Sequence, residues 1–385
     1  MKNRVITFLS YVLTALLACV ITTFLLIGNR VEGYDKLQQL EQLIGREFIG
    51  EVDKTKLEDA AASGMISALG DRWSYYIPAD QYAQHMEQVK NSYVGIGVTV
   101  RQLTNGTGME VLEAAEGTPA QQAGIQPGDV IVAVEGDPIT SENISDISNR
   151  IRGEEGTAVT LTIRRGQTEQ TLSVIRKTVQ TPVATATLLP DGTGLVAITD
   201  FNERCTEETI AAIESLMGQG ATKLIFDVRN NPGGYKAELV KILDYLLPEG
   251  ILFRSEYADG TKEENRSDEK YLDIPMAVLV NGNSYSAAEF FAAALQEYGA
   301  ATVVGTKTTG KGYFQLVYQL SDGSAVGLSV GKYFTPKGVA LEGVGVTPDV
   351  LSEVDGETFE KILYGALEPQ DDPQIQAAQN VLAKE

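Results

Sequence analysis

Hydrophobic positions change their spacing several times along this chain. An uncharged, mostly apolar run extends from Val5 to Gly28. Beyond it, Leu37, Leu40, Ile44 and Phe48 recur at the spacing of one helical face. A second helical stretch covers Ala60 to Leu69 and stops at Gly70-Asp71, so residues 35 to about 90 read as helical. From Val94 the pattern becomes short and strand-like. VGIGVTV, GMEVLEA, DVIVAVEG, TAVTLTIRRG and QTLSVIRKT are separated by Gly, Pro and Asp, with one helical segment at Ser145 to Arg152. This predicts a compact β-rich module over residues 92–178.

Thr181-Pro182 reads as a linker, after which strands and helices alternate. The strand-like segments are TGLVAITDF, KLIFDVR, MAVLVNG, ATVVG, FQLVYQL and AVGLSVGKYF. EETIAAIESLMGQG, AELVKILDYLL and SAAEFFAAALQEYG carry helical patterns between them. Such alternation predicts an α/β core over residues 179–367 with a sheet buried on both faces. The tail, 368–385, is polar and then helical, with no chemistry assigned to it.

The first apolar run exceeds the about 20 residues that a spanning helix needs. Lys2 and Arg4 precede it, while Glu32 and Asp35 follow Arg30, an arrangement that keeps the N-terminus cytoplasmic and places the rest of the chain outside. A cleaved signal peptide usually has an apolar core of about 7–15 residues, which is shorter than this run. Leu16-Leu17-Ala18-Cys19 looks like a lipoprotein processing box, yet the run continues to Ile27. The expectation is an uncleaved signal anchor over residues 1–34, followed by a helical region over 35–91.

Composition narrows the chemistry. The net charge of -21 over 385 residues makes the chain a poor binder of phosphate backbones, so no nucleic-acid partner is expected. Two cysteines, Cys19 and Cys205, build neither a disulfide framework nor a cysteine zinc site. The single histidine, His85, lies in the polar stretch DQYAQHMEQVK. A zinc protease site normally takes several histidines and a Ser-His-Asp triad needs a well-placed one. No metal and no cofactor are expected.

Gly95-Ile96-Gly97-Val98 opens the β module. Glycines at this spacing let successive N–H groups converge on an anion, and a neighbouring strand edge lets a peptide add as a further strand. With Thr118-Pro119-Ala120, Ala123-Gly124, Pro127-Gly128-Asp129 and Ile131 to Val134, the module resembles PDZ domains. The alternative for Gly95 and Gly97 alone is an ordinary β-bulge.

In the core, the apolar strand before Asn281-Gly282-Asn283-Ser284-Tyr285 leads through a sharp turn to a helix starting near Ser286. A serine at a strand-to-helix turn projects outward at the positive end of the helix dipole, which favours an oxyanion in acyl transfer. Ser284 or Ser286 as a plain helix cap is the competing reading. Downstream, Lys311 sits between glycines in Thr308-Thr309-Gly310-Lys311-Gly312. Lysine serves as a general base only when burial brings its pKa from about 10.4 toward 7–8. Gln315, four residues on, falls on the same face of an extended strand and is placed to hold the neutral amine. Gly305 to Lys311 also matches the first part of a P-loop, but Gly312 replaces the magnesium-binding Ser/Thr and a strand pattern follows where a helix is required.

Asn283-Ser-Tyr-Ser-Ala-Ala-Glu289, Gly305 through Gln315, Asp227-Val-Arg-Asn-Asn-Pro-Gly-Gly234 and Gly345-Val-Thr-Pro-Asp349 together resemble the carboxyl-terminal processing, or tail-specific, proteases of the S41 type. The resemblance spans about residues 60 to 355. It implies a ClpP/crotonase-like sheet-and-helix core with an inserted PDZ domain. In that family the nucleophile lies 25 positions before the lysine, which selects Ser286 over Ser284. The resemblance also implies Gln315 as the third member, and an oxyanion hole from the N–H of Ala287 and of Gly233 or Gly234. Tyr285 and Ala288 depart from the family pattern, which has Ala and Ser there.

The function expected is a membrane-anchored serine endopeptidase that takes protein substrates by their apolar C-terminal tails. Arg152 is a candidate link between PDZ occupancy and the core, and helical arms at both ends suit a homodimer. The rival from another class is an inactive PDZ scaffold, which has no need of Ser286, Lys311 and Gln315.

Overall fold

The computed structural model of the protein describes residues 35–103, 106–363 and 365–384, together with Thr14 and Leu17. Apart from those two positions, the expected spanning run Val5 to Gly28 lies outside the described residues. Among the described residues no helix is long and apolar enough to cross a membrane. The chain divides into two compact units, residues 1–65 and 66–385. Helix Asp35–Glu47 lies in the first, and helix Lys54–Ser67 runs across the division.

The helical reading of residues 35 to 90 needs one correction. Tyr75–Ile77 is a strand, antiparallel to Ala325–Gly327, before helix Ala79–Val89 begins after Pro78. Two aromatics and a β-branched residue behind the Gly70-Asp71 break favour extended backbone, and the sheet partner is supplied by distant chain.

The core is built on a sheet ordered Ala184–Leu188, Gly194–Ile198, Leu224–Asp227, Met276–Val280, Ala301–Gly305, Val350–Leu351. Only Ala184–Leu188 runs antiparallel to its neighbour. Alternate residues enter opposite layers, as a period of two requires. Leu224 and Phe226 join the cluster that holds Ile213, Leu243 and Phe291, from helices Cys205–Gly218, Lys236–Leu246 and Ala287–Tyr298. Ile225 faces the other way, with Ala277 and Leu279, against Ile375, Ala378 and Leu382 of helix Pro373–Leu382. The polar-looking tail is therefore one of the layers of the core.

A second, antiparallel sheet contains Tyr75–Ile77, Ala325–Phe334 and the hairpin Gly250–Tyr257 with Lys262–Ser267. Tyr313–Gln319 pairs along the free side of Ala325–Phe334.

The β module has a sheet ordered Val98–Gln102, Met109–Ala114, Val130–Val134, Ala158–Arg165, Thr168–Ile175. It carries helices Pro119–Gln122 and Ile144–Ile151 around a separate apolar cluster with Ile96, Val111, Ile131, Ile147 and Leu161. Val98–Gln102 is the end strand of this sheet. The chain enters and leaves the module through one antiparallel pair, Ser92–Gly95 with Lys177–Gln180. Thr181, read as linker, is pinned: its N–H donates to the Asn91 carbonyl, and its own carbonyl accepts from Arg204 Nη2 at 2.7 Å.

Candidate active site

Strand Met276–Val280 is fully apolar and buried, and it ends at a turn whose polar side chains are all committed. Asn281 Oδ1 accepts the N–H groups of Asn230 and Asn283, each at 3.0 Å. Ser284 is fully buried, donates its hydroxyl to the Val228 carbonyl at 2.7 Å and accepts the Asn281 N–H. Ser284 is thus a brace. Tyr285 N–H donates to the Asn231 carbonyl, joining this turn to the Asn230–Gly234 loop.

Ser286 follows in a backbone conformation that non-glycine residues rarely adopt, φ 57° and ψ -125°. Such a residue is held by its surroundings against its own preference, at a cost of about 1–3 kcal/mol. It is the N-cap of helix Ala287–Tyr298, so its hydroxyl stands where the first helical N–H groups and the dipole converge. This is the geometry of a strained strand-to-helix elbow that presents a nucleophile.

Gly233 packs directly against it. With φ 96°, a Cβ there would meet Ala287 N, Ser286 Cβ and the Tyr285 carbonyl oxygen, each at 2.8 Å. Only glycine permits that approach. The Gly233 N–H is already donated to Asn231 Oδ1 at 2.7 Å, and the Gly233 carbonyl accepts the Phe201 N–H. In a trans peptide the following N–H points opposite to that carbonyl, which turns the Gly234 N–H away from Phe201. The sequence left Gly233 and Gly234 equal; the hydrogen bonds favour Gly234 as the free donor.

Glu289, given no role from sequence, connects the serine to the lysine. It is fully buried. Its Oε2 accepts the N–H groups of Ser286 (2.9 Å) and Lys311 (2.8 Å). Its Oε1 accepts the Gly310 N–H (2.7 Å) and the Thr308 hydroxyl (2.5 Å). Thr308 Oγ1 itself accepts the Val346 N–H, so its proton is the one donated to Glu289. Burial raises the Glu289 carboxyl pKa, and these hydrogen bonds act in the opposite direction. With four donors around it, a proton on Glu289 has no acceptor, and the geometry is that of a carboxylate. The signal was present in the sequence as serine followed three residues later by glutamate at a helix start.

Lys311 is largely withdrawn from water, and burial lowers its amine below the ordinary value while Glu342, Asp71 and Glu289 oppose that shift. Its Nζ lies 4.9 Å from the Trp73 ring centre and 5.7 Å from that of Tyr285. No hydrogen bond joins Nζ to the Ser286 hydroxyl among the described residues. Gln315 does not reach the amine either. It donates to the Tyr313 carbonyl (3.2 Å) and the Ser329 hydroxyl (3.0 Å). Lys311 precedes the strand, which starts at Tyr313, so the lysine and Gln315 do not share one extended strand.

In the β module, Ile96 is a buried core residue. The Ile96 and Gly97 carbonyls accept the N–H groups of Ala120 and Ala115. Gly97 has φ 79°, and a Cβ there would meet Thr118 side-chain atoms at 2.4 Å. Gly95 belongs to the ingoing strand paired with Lys177, and Val98 begins the end strand. Arg152 stacks on Tyr93 of the ingoing strand, 4.9 Å from its ring centre. Cys205 is fully buried, its thiol pushed up to about 12 by burial, and inert as a nucleophile. Among the described residues no cluster of three or more His, Cys, Asp or Glu could hold a metal ion.

Comparison with known proteins decides the family. Over 367 residues the chain is 32% identical to the carboxy-terminal processing protease CtpA of Bacillus subtilis, covering 92% of this chain and 78% of the relative. The chain belongs to the S41 peptidase family. The Peptidase family S41 model matches residues 192–352, a PDZ domain model 110–165, and an activating protease CtpB N-terminal domain model 26–81. A probable CtpA-like serine protease of Staphylococcus aureus strain N315 is 31% identical over 352 residues, covering 88% of this chain and 70% of the relative. The S41 fold is shared with a putative S41 protease from Bacteroides fragilis at 17% identity, with a TM-score of 0.55 over 87% of this chain and 92% of that one. The protein is a C-terminal processing serine peptidase of mixed α/β architecture with a PDZ domain.

Proposed function

We propose that this S41 peptidase hydrolyses its protein substrates through Ser286 as nucleophile and Lys311 as general base. The observation that carries the reading is the Glu289 carboxylate, which binds the backbone of both residues at once. Neutral Lys311 takes the Ser286 proton as the hydroxyl oxygen attacks the peptide carbonyl. The oxyanion is received by the N–H groups of Ala287 and Gly234. The lysine then protonates the leaving amine, and water releases the acyl group. Gln315 is assigned to receive the Lys311 amine when the base turns toward the serine, by exchanging its present partners.

The PDZ module selects substrates by their apolar C-terminal tails. The tail carboxylate is assigned to the Gly95-Ile96-Gly97-Val98 loop and its backbone to the unpaired edge of Val98–Gln102, beside helix Ile144–Ile151. Arg152 is assigned to report occupancy through the ingoing strand on which it stacks. The long apolar run and its flanking charges support a single-pass anchor with the protease extracytoplasmic, and the exposed Leu37, Leu40 and Leu43 of the first unit suit a homodimer.

The test is incubation of the full chain in detergent with an unfolded protein bearing an apolar C-terminal tail, beside the same protein with an acidic tail. Fragments are expected from the apolar-tailed substrate only, and none from S286A or K311A. Full cleavage by either variant overturns the catalytic assignment, and equal cleavage of both tails overturns the PDZ assignment. Protease protection of the chain in membrane vesicles tests the anchor and its orientation.

A further inference from the structure

The segment Asp71-Arg72-Trp73-Ser74 flanks the Lys311 loop, and the catalytic assignment does not use it. Arg72 Nη2 donates to the Gly310 carbonyl at 3.1 Å. Trp73 Nε1 donates to Glu342, 3.0 and 3.1 Å from its two carboxylate oxygens. Glu342 also accepts the Gly312 N–H at 2.7 Å. Trp73 is thus tied to the backbone on the far side of Lys311, while Arg72 holds the near side. The Ser74 hydroxyl donates to Asp71 and accepts the Ser329 N–H, and Ser329 is the residue that Gln315 holds. The Arg72 guanidinium covers the Trp73 ring at 4.1 Å. The Trp73 and Tyr285 rings lie at 21° to each other with centres 6.3 Å apart, and the Lys311 Nζ stands over both. Tyr285 is the residue that departs from the family pattern immediately before the serine.

Ring faces attract a cation and give nothing comparable to a neutral amine. The two ring faces therefore hold the ammonium form against the burial that disfavours it. Glu342, Asp71 and Glu289 act in the same direction, with Arg72 as the positive charge on the same segment.

We propose that Trp73, paired with Tyr285, is a positioning residue that clamps Lys311 as an ammonium away from Ser286, and that Lys311 becomes a base only on leaving this clamp and releasing its proton to solvent. This rests on the assignment of Lys311 as the general base. Activity in this protease then depends on an aromatic contact supplied from more than two hundred residues upstream.

The test is the pH profile of kcat/KM for the full chain, its Trp73→Leu and Trp73→Phe variants, and the controls S286A and K311A, each with a recorded melting temperature. Leucine keeps an apolar side chain without a ring face, and phenylalanine keeps the face. The W73L profile is expected to rise at lower pH than wild type by about half to one pH unit, with W73F on the wild-type profile. A wall that merely excludes water predicts the opposite sign, because hydrating the amine raises its pKa. A W73L limb that is unmoved or moved to higher pH overturns the clamp, as does the same shift in W73F. Activity retained by K311A overturns the catalytic reading beneath it, a result separable from any behaviour of Trp73. If W73L melts below the assay temperature, Tyr285→Leu, which removes the other ring, takes its place with the same expected direction.

Discussion

The two halves of the catalytic site are built differently. Around Ser286 the polar side chains Asn281, Ser284, Asn230 and Asn231 are committed to hydrogen bonds beneath a residue held at an unfavourable φ. Around Lys311 the backbone is equally fixed, by Glu289 and Glu342, but the side chain rests on ring faces. A hydrogen-bonded network has one low-energy arrangement, whereas a cation over aromatic rings leaves at modest cost. The serine side is rigid and the lysine side is adjustable, so under the proposed assignment control of the reaction is cheaper at the base than at the nucleophile.

The comparison is easiest to break at Glu289, which belongs to both halves. Glu289→Gln leaves an amide N–H₂ facing donors. A loss of at least about a hundredfold in kcat is expected, with destabilisation of about 3 kcal/mol in urea titrations, since buried donors go unpaired. Near-normal kcat would show that the halves are placed independently. Next is Gly233→Ala, whose Cβ has no room beside Ser286. A fall of about a hundredfold in kcat with unchanged KM is expected, and a pure KM effect would place Gly233 in substrate binding instead.

A third variant tests how far the rigid side extends. Arg229 joins the Asn230–Gly234 loop to the tail layer through ion pairs with Asp227 (2.6 Å) and Asp372 (2.8 Å), both ends being almost fully buried in the Asp372 pair. Asp372→Ala is expected to cost about 2–3 kcal/mol of stability, less than breaking an isolated buried pair because Asp227 remains, and to lower kcat rather than raise KM. The smallest effect is expected away from both halves. Gly97→Ala strains the Gly95–Val98 loop, the proposed carboxylate site of the PDZ module, against Thr118. KM for an apolar-tailed substrate should rise about tenfold, while cleavage of a short peptide lacking a tail is unchanged.

Much of this was legible in the sequence. The buried parallel strands and their helices announced themselves by apolar runs and Gly stops, and the resemblance to S41 proteases nominated Ser286 and Lys311. What stayed hidden was long-range. Trp73 and Glu342 are 269 residues apart, and no local pattern links them. Helix Pro373–Leu382 looked polar because only one of its faces is buried. The hairpin Gly250–Ser267 went unread because its second strand, Lys262–Ser267, is mostly exposed and charged. Periodicity puts Gln315 on one strand with Lys311, whereas the strand begins two residues after the lysine, at Tyr313.

The Glu289 carboxylate also ties the site to completion of the fold. Its four donors come from the nucleophile elbow and the lysine loop, and Thr308 is oriented in turn by Val346. A chain that has not yet brought these stretches together has neither an exposed elbow nor a buried amine. A chain whose core has not closed therefore lacks the joint between Ser286 and Lys311 on which the proposed chemistry rests.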